Sequence, residues 1–194
     1  MKRTVLTALV LLAGLALTGA ETTPRVSVSS PKSELAFEKE SGIRKLHPQW
    51  LGANAKKNIY IELPPAEKWT KAQFTFTAKE DGRIRIELAA QDVKKDGKRI
   101  PMGIRYDDIR VNGVMIRNGG FEEGSEGFGY YAVPGYENFR ARVVTDPEGA
   151  YEGRCYGLAW SLSQIAFGVN VSKDIPVTVS FQYRDGGEIA PLKK

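Results

Sequence analysis

The sequence predicts an all-β protein folded as a β-sandwich, and two observations carry that prediction. Eight short runs with alternating apolar and polar residues recur along the chain, separated by Gly, Pro, Asn and Asp. The chain also has 20 glycines and 10 prolines but little helical periodicity, which indicates many turns. Strands at this spacing are typical of a two-layer sandwich, with a jelly roll among the leading options.

The N-terminal residues 1–20 are predicted to be a secretory signal peptide. A basic start, Met1-Lys2-Arg3, precedes an apolar run over residues 5–17, and Thr18-Gly19-Ala20 supplies the small residues of a cleavage site. The run is shorter than the roughly 20 residues that a membrane-spanning helix needs. We therefore expect residues 21–194 to form a secreted or periplasmic mature chain with no membrane span.

The strand-like runs follow one another with clear turn signals. Residues 58–63, 71–78 and 83–88 alternate strictly, and Asp81-Gly82 between the last two predicts a tight β-hairpin. Residues 91–99 are rich in lysine, and we interpret them as a solvated loop rather than an anion-binding patch. The remaining predicted strands are 103–111, 140–146, 154–160, 164–171 and 176–183.

Composition excludes several function classes. Without Lys2 and Arg3 the chain has 26 basic and 23 acidic residues, so the net charge falls from +5 to +3. That excess is too small to predict nucleic acid binding. A single cysteine, Cys155, and a single histidine, His47, leave no internal disulfide, no Cys-based zinc site and no usual catalytic triad.

Three segments have sequence patterns that are more specific than an alternation of apolar and polar residues. They are 118–132 (NGGFEEGSEGFGYYA), 151–160 (YEGRCYGLAW) and 164–184 (QIAFGVNVSKDIPVTVSFQYR). They resemble the first half of the galactose-binding-like jelly rolls, in particular carbohydrate-binding modules of the family 4, 9 and 22 type. The family's ending, a Trp-led hairpin and an Asp-Asp-Val strand, resembles residues 69–88 (WTKAQFTFTAKEDGRIRIEL) and 106–111 (YDDIRV).

The two halves of that resemblance occur in reverse order. Residues 22–113 resemble the family's C-terminal half, and residues 114–194 resemble its N-terminal half. Either one jelly roll is circularly permuted, or two incomplete jelly rolls are joined. The size favours the first alternative, because about 150 residues make one such domain. Two half-sandwiches would each leave an apolar face unburied.

The resemblance implies a structural calcium ion. Its ligands would be the carboxylates of Asp107 and Glu122 and the backbone carbonyls of Gly120 and Gly153, and such hard oxygens suit calcium. The residues themselves add that the apolar alternation changes parity at Asp107-Asp108, which predicts a β-bulge carrying two adjacent carboxylates. The alternative is that these acids pair with arginines, namely Arg105, Arg110 or Arg154.

A saccharide site is predicted on the strand at residues 83–88. Its outward set is Arg83, Arg85 and Glu87, and long polar side chains beside aromatic rings suit the hydroxyls and the apolar faces of sugars. The alternative is a salt-bridge ladder on a solvated face.

Further candidates for this site come from the resemblance and from one tryptophan. The resemblance assigns the aromatic platform to Tyr131, with Tyr130 beside it, and a polar contact to Asn170. Trp50 lies in loop-like sequence and is a further candidate for an exposed platform.

We therefore expect a secreted, non-catalytic protein that resembles a carbohydrate-binding module and whose partner is a polysaccharide or glycan. The alternative is a structural or adhesive β-sandwich at the cell surface, or a protein-interaction domain, without sugar binding. A glycan-cleaving enzyme would need two carboxylates roughly 5–10 Å apart across a cleft. The acidic residues that stand out in the sequence are assigned to the predicted metal-binding turn instead, so we do not expect an enzyme.

Overall fold

The computed structural model describes residues 22–30, 35–37, 45–48 and 58–193. The predicted signal peptide and Trp50 lie outside these residues. No helix within the described ranges is long and apolar enough to cross a membrane. A short 3₁₀ helix occupies Glu137–Phe139. The strands in chain order are β1 (Pro24–Ser29), β2 (Leu35–Phe37), β3 (Lys45–Pro48), β4 (Asn58–Glu62), β5 (Thr70–Ala78), β6 (Gly82–Ala90), β7 (Val93–Lys95), β8 (Lys98–Ile100), β9 (Met102–Val111), β10 (Val114–Met115), β11 (Gly129–Ala132), β12 (Arg142–Thr145), β13 (Cys155–Trp160), β14 (Ser163–Val171) and β15 (Pro176–Glu188).

These strands form two large antiparallel sheets. Sheet A has six strands in the spatial order β11-β14-β6-β1-β4-β3. Sheet B has seven, with β12-β13-β9-β15-β5-β2 side by side and β10 paired to β9. Strands β7 and β8 form a separate ribbon in the segment predicted to be a solvated loop. The prediction of an all-β fold made of antiparallel sheets is confirmed.

The inward faces of sheets A and B share one apolar core. Strand β5 contributes Phe74 and Phe76, and β6 contributes Ile86, all three fully buried. Burying an apolar side chain of this size contributes roughly 1.5–3 kcal/mol. Strands from both sides of residue 113 pair with each other in each sheet, β6 with β14 in sheet A and β9 with β15 in sheet B.

The predicted β-hairpin at Asp81-Gly82 is wrong. Strand β5 lies in sheet B and β6 in sheet A, so the turn crosses between the sheets. Neither residue has the positive φ of a type I′ hairpin turn, and the Asp81 carboxylate accepts a hydrogen bond from the backbone N–H of Lys173 at 2.6 Å. The crossing lets the apolar faces of both strands contribute to the same core, which the hydrophobic effect favours.

The predicted β-bulge at Asp107-Asp108 is confirmed. Where β9 pairs with β15, the register runs from Asp107 opposite Gln182 to Arg110 opposite Ser180, so β9 contains one extra residue. Asp108 has φ +48°, and this left-handed turn changes the parity of the strand. As a result, residues on both sides of the bulge face the core, and Asp107 is held beneath the loop that precedes β13.

The outer faces of the two sheets differ. On sheet B the outward side chains Tyr156, Leu158 and Trp160 form a second apolar cluster, which Tyr136 and Phe139 from the preceding loop cover. On sheet A the outward residues Arg83 and Arg85 of β6 are exposed, and Glu87 is partly exposed. Sheet A therefore carries the open polar face.

Candidate functional site

The open face of sheet A has a row of charged side chains on β6. Alternation along this strand turns Arg83, Arg85 and Glu87 outward. The neighbouring strand β14 places small or polar residues opposite them: Asn170 faces Arg83, Gly168 faces Arg85 and Ala166 faces Glu87. The three predicted saccharide contacts on β6 therefore lie on one face, beside a strand whose residues on that face are small or polar.

Arg85 is the centre of this row. Its Nε donates a hydrogen bond to Oε1 of Glu87 at 2.7 Å, and its guanidinium carbon lies 4.7 Å from the centroid of the Tyr131 ring. Burial lowers the pKa of Arg85, but the hydrogen bonds and charge interactions with Glu87 and Tyr131 together outweigh burial, so the pKa is raised. The Tyr131 ring, 45% exposed, is thus fixed in place by a cation that stays charged.

A groove of about 540 Å³ runs along this face, and we call it the sheet A groove. Its volume lies within the range of roughly 300–1,000 Å³ that is typical of small-molecule sites. The groove is lined by residues of β1, β6, β11 and β14 and by two residues next to these strands. The lining residues are Ser29, Ser30, Arg83, Ile84, Arg85, Gly127, Gly129, Tyr131, Ala166, Phe167 and Gly168.

Two glycines shape the floor of the groove. A β-carbon on Gly129 would come within 2.5 Å of the Tyr131 ring, and one on Gly168 would come within 2.1 Å of Nε of Arg83. Glycine inside a strand often marks a close approach of other atoms to the backbone. Here it lets the Tyr131 ring and the Arg83 guanidinium lie flat across the sheet.

The other predicted saccharide residues are placed differently. Asn170 is exposed on the same face, directly opposite Arg83 in the register, but it does not line the groove. Tyr130 is adjacent to Tyr131 in β11 and therefore points to the opposite side, where it packs against Phe128 at the core. Tyr130 thus does not lie on the face that it was predicted to share, because neighbouring residues of a strand face opposite ways. Trp50 lies outside the described residues.

A second cavity, of about 370 Å³, lies between the β9 bulge and the turns at 118–124 and 150–154, and we call it the acidic pocket. All four predicted calcium ligands line it, namely Asp107, Gly120, Glu122 and Gly153. Its other lining residues are Asp108, Met115, Asn118, Glu123 and Glu152.

The Asp107 carboxylate is fully buried in the wall of this pocket. It accepts hydrogen bonds from the backbone N–H groups of Asp108 at 2.7 Å and Tyr151 at 3.0 Å. Burial raises the pKa of Asp107 to about 6, although the backbone donors act in the opposite direction; the nearby Asp108 raises it further. A cation beside this carboxylate would favour its charged form.

Glu122 joins two turns of the chain. Its Oε1 accepts hydrogen bonds from the backbone N–H groups of Arg154 at 2.6 Å and Cys155 at 2.8 Å. Gly153 adopts φ +72°, and a β-carbon there would come within 2.4 Å of the same oxygen. Glu122 therefore holds the start of β13 against the turn at 118–124 even without a metal ion.

The donor set of the acidic pocket consists of oxygens, which suits calcium. No group of three or more His, Cys, Asp or Glu side chains in the described ranges is placed to hold a metal. Calcium would therefore need backbone carbonyls besides the carboxylates of Asp107 and Glu122. Asp108 pairs instead with Arg110 at 2.8 Å, which is the arginine pairing that the sequence offered as the alternative.

Sequence reasoning missed several residues of the sheet A groove. Ser29 and Ser30 belong to β1 and the residue after it, a segment to which the sequence reasoning assigned no strand. The signal was present, because Val26 and Val28 alternate with polar residues. Gly168, an isolated glycine inside a strand pattern, was a further signal of a close approach.

Comparison with known proteins gave no match: neither a protein-family model, nor a curated protein, nor a solved structure is similar to this chain.

Proposed function

We propose that this protein is an exported, non-catalytic β-sandwich that binds a saccharide in the sheet A groove. The observation that carries the proposal is the Tyr131 ring held flat over Gly129 and fixed by Arg85 beside a groove of about 540 Å³. Sugars bind through stacking of their apolar faces on aromatic rings and through paired hydrogen bonds to their hydroxyls. Tyr131 supplies the ring, and Arg83, Arg85 and Ser29 supply polar groups.

The carboxylates near the groove support binding rather than hydrolysis. Glycosidases typically use two carboxyl groups on opposite sides of the scissile bond. The described residues that line the groove include no Asp or Glu. Glu87, which is next to the groove, is hydrogen-bonded to Arg85.

We further propose that the sandwich is a circularly permuted, galactose-binding-like jelly roll. The support is the pairing of β6 with β14 and of β9 with β15, which joins segments resembling the two halves of the family. Export is supported by the basic, apolar and small-residue pattern of residues 1–20.

A calcium ion in the acidic pocket is part of the same proposal. Asp107 and Glu122, with the carbonyls of Gly120 and Gly153, would hold it, and the ion would neutralise the buried Asp107 carboxylate. A ligand that binds only the folded state raises stability by about 2.7 kcal/mol at one hundred times its Kd. Calcium should therefore raise the melting temperature, and a chelator should reverse the rise. A metal-free protein whose melting curve ignores calcium would contradict this part of the proposal.

The saccharide proposal is tested by isothermal titration calorimetry with soluble polysaccharides. Tyr131→Ala should weaken binding by at least about 0.5–1.5 kcal/mol, the typical contribution of an aromatic contact beyond its area. Tyr151→Ala is the matched control, because Tyr151 is also 45% exposed but packs against Trp69 outside the groove. Equal affinities of the two variants would move the site elsewhere, and the absence of any binding would favour a structural or adhesive domain.

A further inference from the structure

The sheet A groove has more positively charged than negatively charged side chains. Arg85 has a carboxylate partner, because its Nε donates to Glu87. The side chain of Arg83 makes no ion pair and no hydrogen bond with any residue that the structure describes. The outward row of β6 therefore has two guanidinium groups and one carboxylate, and among the described residues that carboxylate pairs only with Arg85.

The position of Arg83 depends on Gly168. Its Nε would lie 2.1 Å from a β-carbon at position 168, and Nη2 would lie at 2.8 Å. The side chain therefore lies across β14, over a residue that is itself directly opposite Arg85 in the register. The absence of a side chain at position 168 thus leaves room for the Arg83 guanidinium over β14, and both arginines line the groove.

Arg83 and Arg85 lie two residues apart on the same face of β6, and like charges near each other repel. The repulsion is relieved when an anion lies between them, and guanidinium groups bind the oxygens of carboxylates and of sulfate or phosphate esters through paired N–H donors. Neutral sugar hydroxyls would satisfy the hydrogen bonds but would not neutralise the charge of Arg83. The groove is therefore better matched to an acidic sugar than to a neutral one.

Resting on the proposed function of the groove, we infer that its ligand is an acidic saccharide, and that Arg83 binds the anionic oxygens of that saccharide. The Tyr131 ring contacts the apolar face of the same or the adjoining sugar. A uronic acid carboxylate and a sulfate ester present the same kind of charged oxygens to Arg83, so the experiment includes both.

The test is calorimetric titration of the purified protein with matched pairs of polymers. Polygalacturonate is compared with its fully methyl-esterified form, and dextran sulfate with dextran, because each pair differs in charge on the same backbone. Tighter binding of either acidic member than of its neutral partner is expected. The member that binds identifies the carboxylate or the sulfate as the anion.

Three variants separate a local contact from general electrostatic attraction. Arg83→Gln should weaken binding of the acidic polymer at least about tenfold, the fold-change that corresponds to one lost hydrogen bond between charged groups. Gly168→Ala keeps both charges but displaces the guanidinium, so it should also weaken binding. Arg140→Gln makes the same charge change at an exposed position in the loop that covers sheet B, and it should have little effect. Unchanged melting temperatures would show that the variants fold.

The remaining outcomes contradict the inference, and one of them also contradicts the proposed function. If neutral and acidic members bind equally and Arg83→Gln binds like the unaltered protein, the inference is wrong but the saccharide site stands. If Arg140→Gln loses as much affinity as Arg83→Gln, the attraction is non-specific and the inference is also wrong. If no acidic or neutral polymer binds, both the inference and the proposed function fail.

Discussion

Replacement of Glu122 by alanine should destabilise the protein even when no calcium is present. The side chain accepts two backbone N–H hydrogen bonds, at 2.6 Å from Arg154 and 2.8 Å from Cys155. A hydrogen bond to a charged group contributes about 1.5–3 kcal/mol, but water can replace the partner where the donor is exposed. The N–H of Arg154 is exposed and that of Cys155 is partly buried. We therefore expect the substitution to lower the free energy of unfolding by about 1–2 kcal/mol.

The assay is thermal and urea unfolding in the presence of a chelator. For a chain of this size, 1 kcal/mol shifts the melting temperature by about 2–4 °C, so Glu122→Ala should lower it by about 5 °C. Glu123→Ala is the matched control, because its carboxylate is 57% exposed and lies 3.9 Å from Arg117. Exposed ion pairs of this kind contribute at most about 1 kcal/mol, and often nothing measurable.

The comparison with and without calcium separates the two roles of Glu122. If the residue is also a calcium ligand, added calcium should raise the melting temperature of the unaltered protein but not that of Glu122→Ala. A loss below about 0.5 kcal/mol in chelator would refute the hydrogen-bonding role that the structure assigns to the residue. If Glu122→Ala is destabilised in chelator but its melting temperature still rises fully with calcium, the hydrogen-bonding role stands. Glu122 would then not belong to the proposed metal site.

The remaining predictions concern the acidic pocket and two glycines. Because burial raises the pKa of Asp107 from its usual 3.8 to about 6, the folded state binds more protons in that window. The free energy of unfolding should therefore fall on the order of 3 kcal/mol as the pH rises from about 4 to above 6, and Asp107→Asn should remove this dependence in urea titrations. Gly157→Ala should cost about 1–3 kcal/mol, because the new methyl group would come within 2.6 Å of both Ile165 and Phe121. Gly82→Ala, with nothing within 4 Å, should be neutral or stabilising by about 0.4–1 kcal/mol in the same assay; the reverse order would contradict the packing described.

Alternation in the sequence predicted which side chains share a face, because the geometry of a strand leaves only two choices. Arg83, Arg85 and Glu87 lie together for this reason, and the parity change at Asp107-Asp108 identified the bulge. The same rule separates Tyr130 from Tyr131, so treating both as platforms conflicted with the strand that contains them.

The residues of the turns predicted less of the topology, because a local sequence does not specify which sheet the next strand joins. Asp81-Gly82 has the residues of a hairpin turn, yet β5 and β6 lie in different sheets. Both strands have an apolar face that must be buried, and packing across the core satisfies both faces. The groove could not be predicted either. Its floor contains Gly129 of β11 and Gly168 of β14, and it forms only because β14 pairs with β6, a strand distant in the sequence.

A glycan array tests the central claim most directly. The unaltered protein, Tyr131→Ala and Tyr151→Ala would be applied to the same array of neutral and acidic saccharides. We predict that the unaltered protein and Tyr151→Ala bind the same set of glycans and that Tyr131→Ala loses them. Binding by all three proteins alike, or by none, would contradict a saccharide site in the sheet A groove.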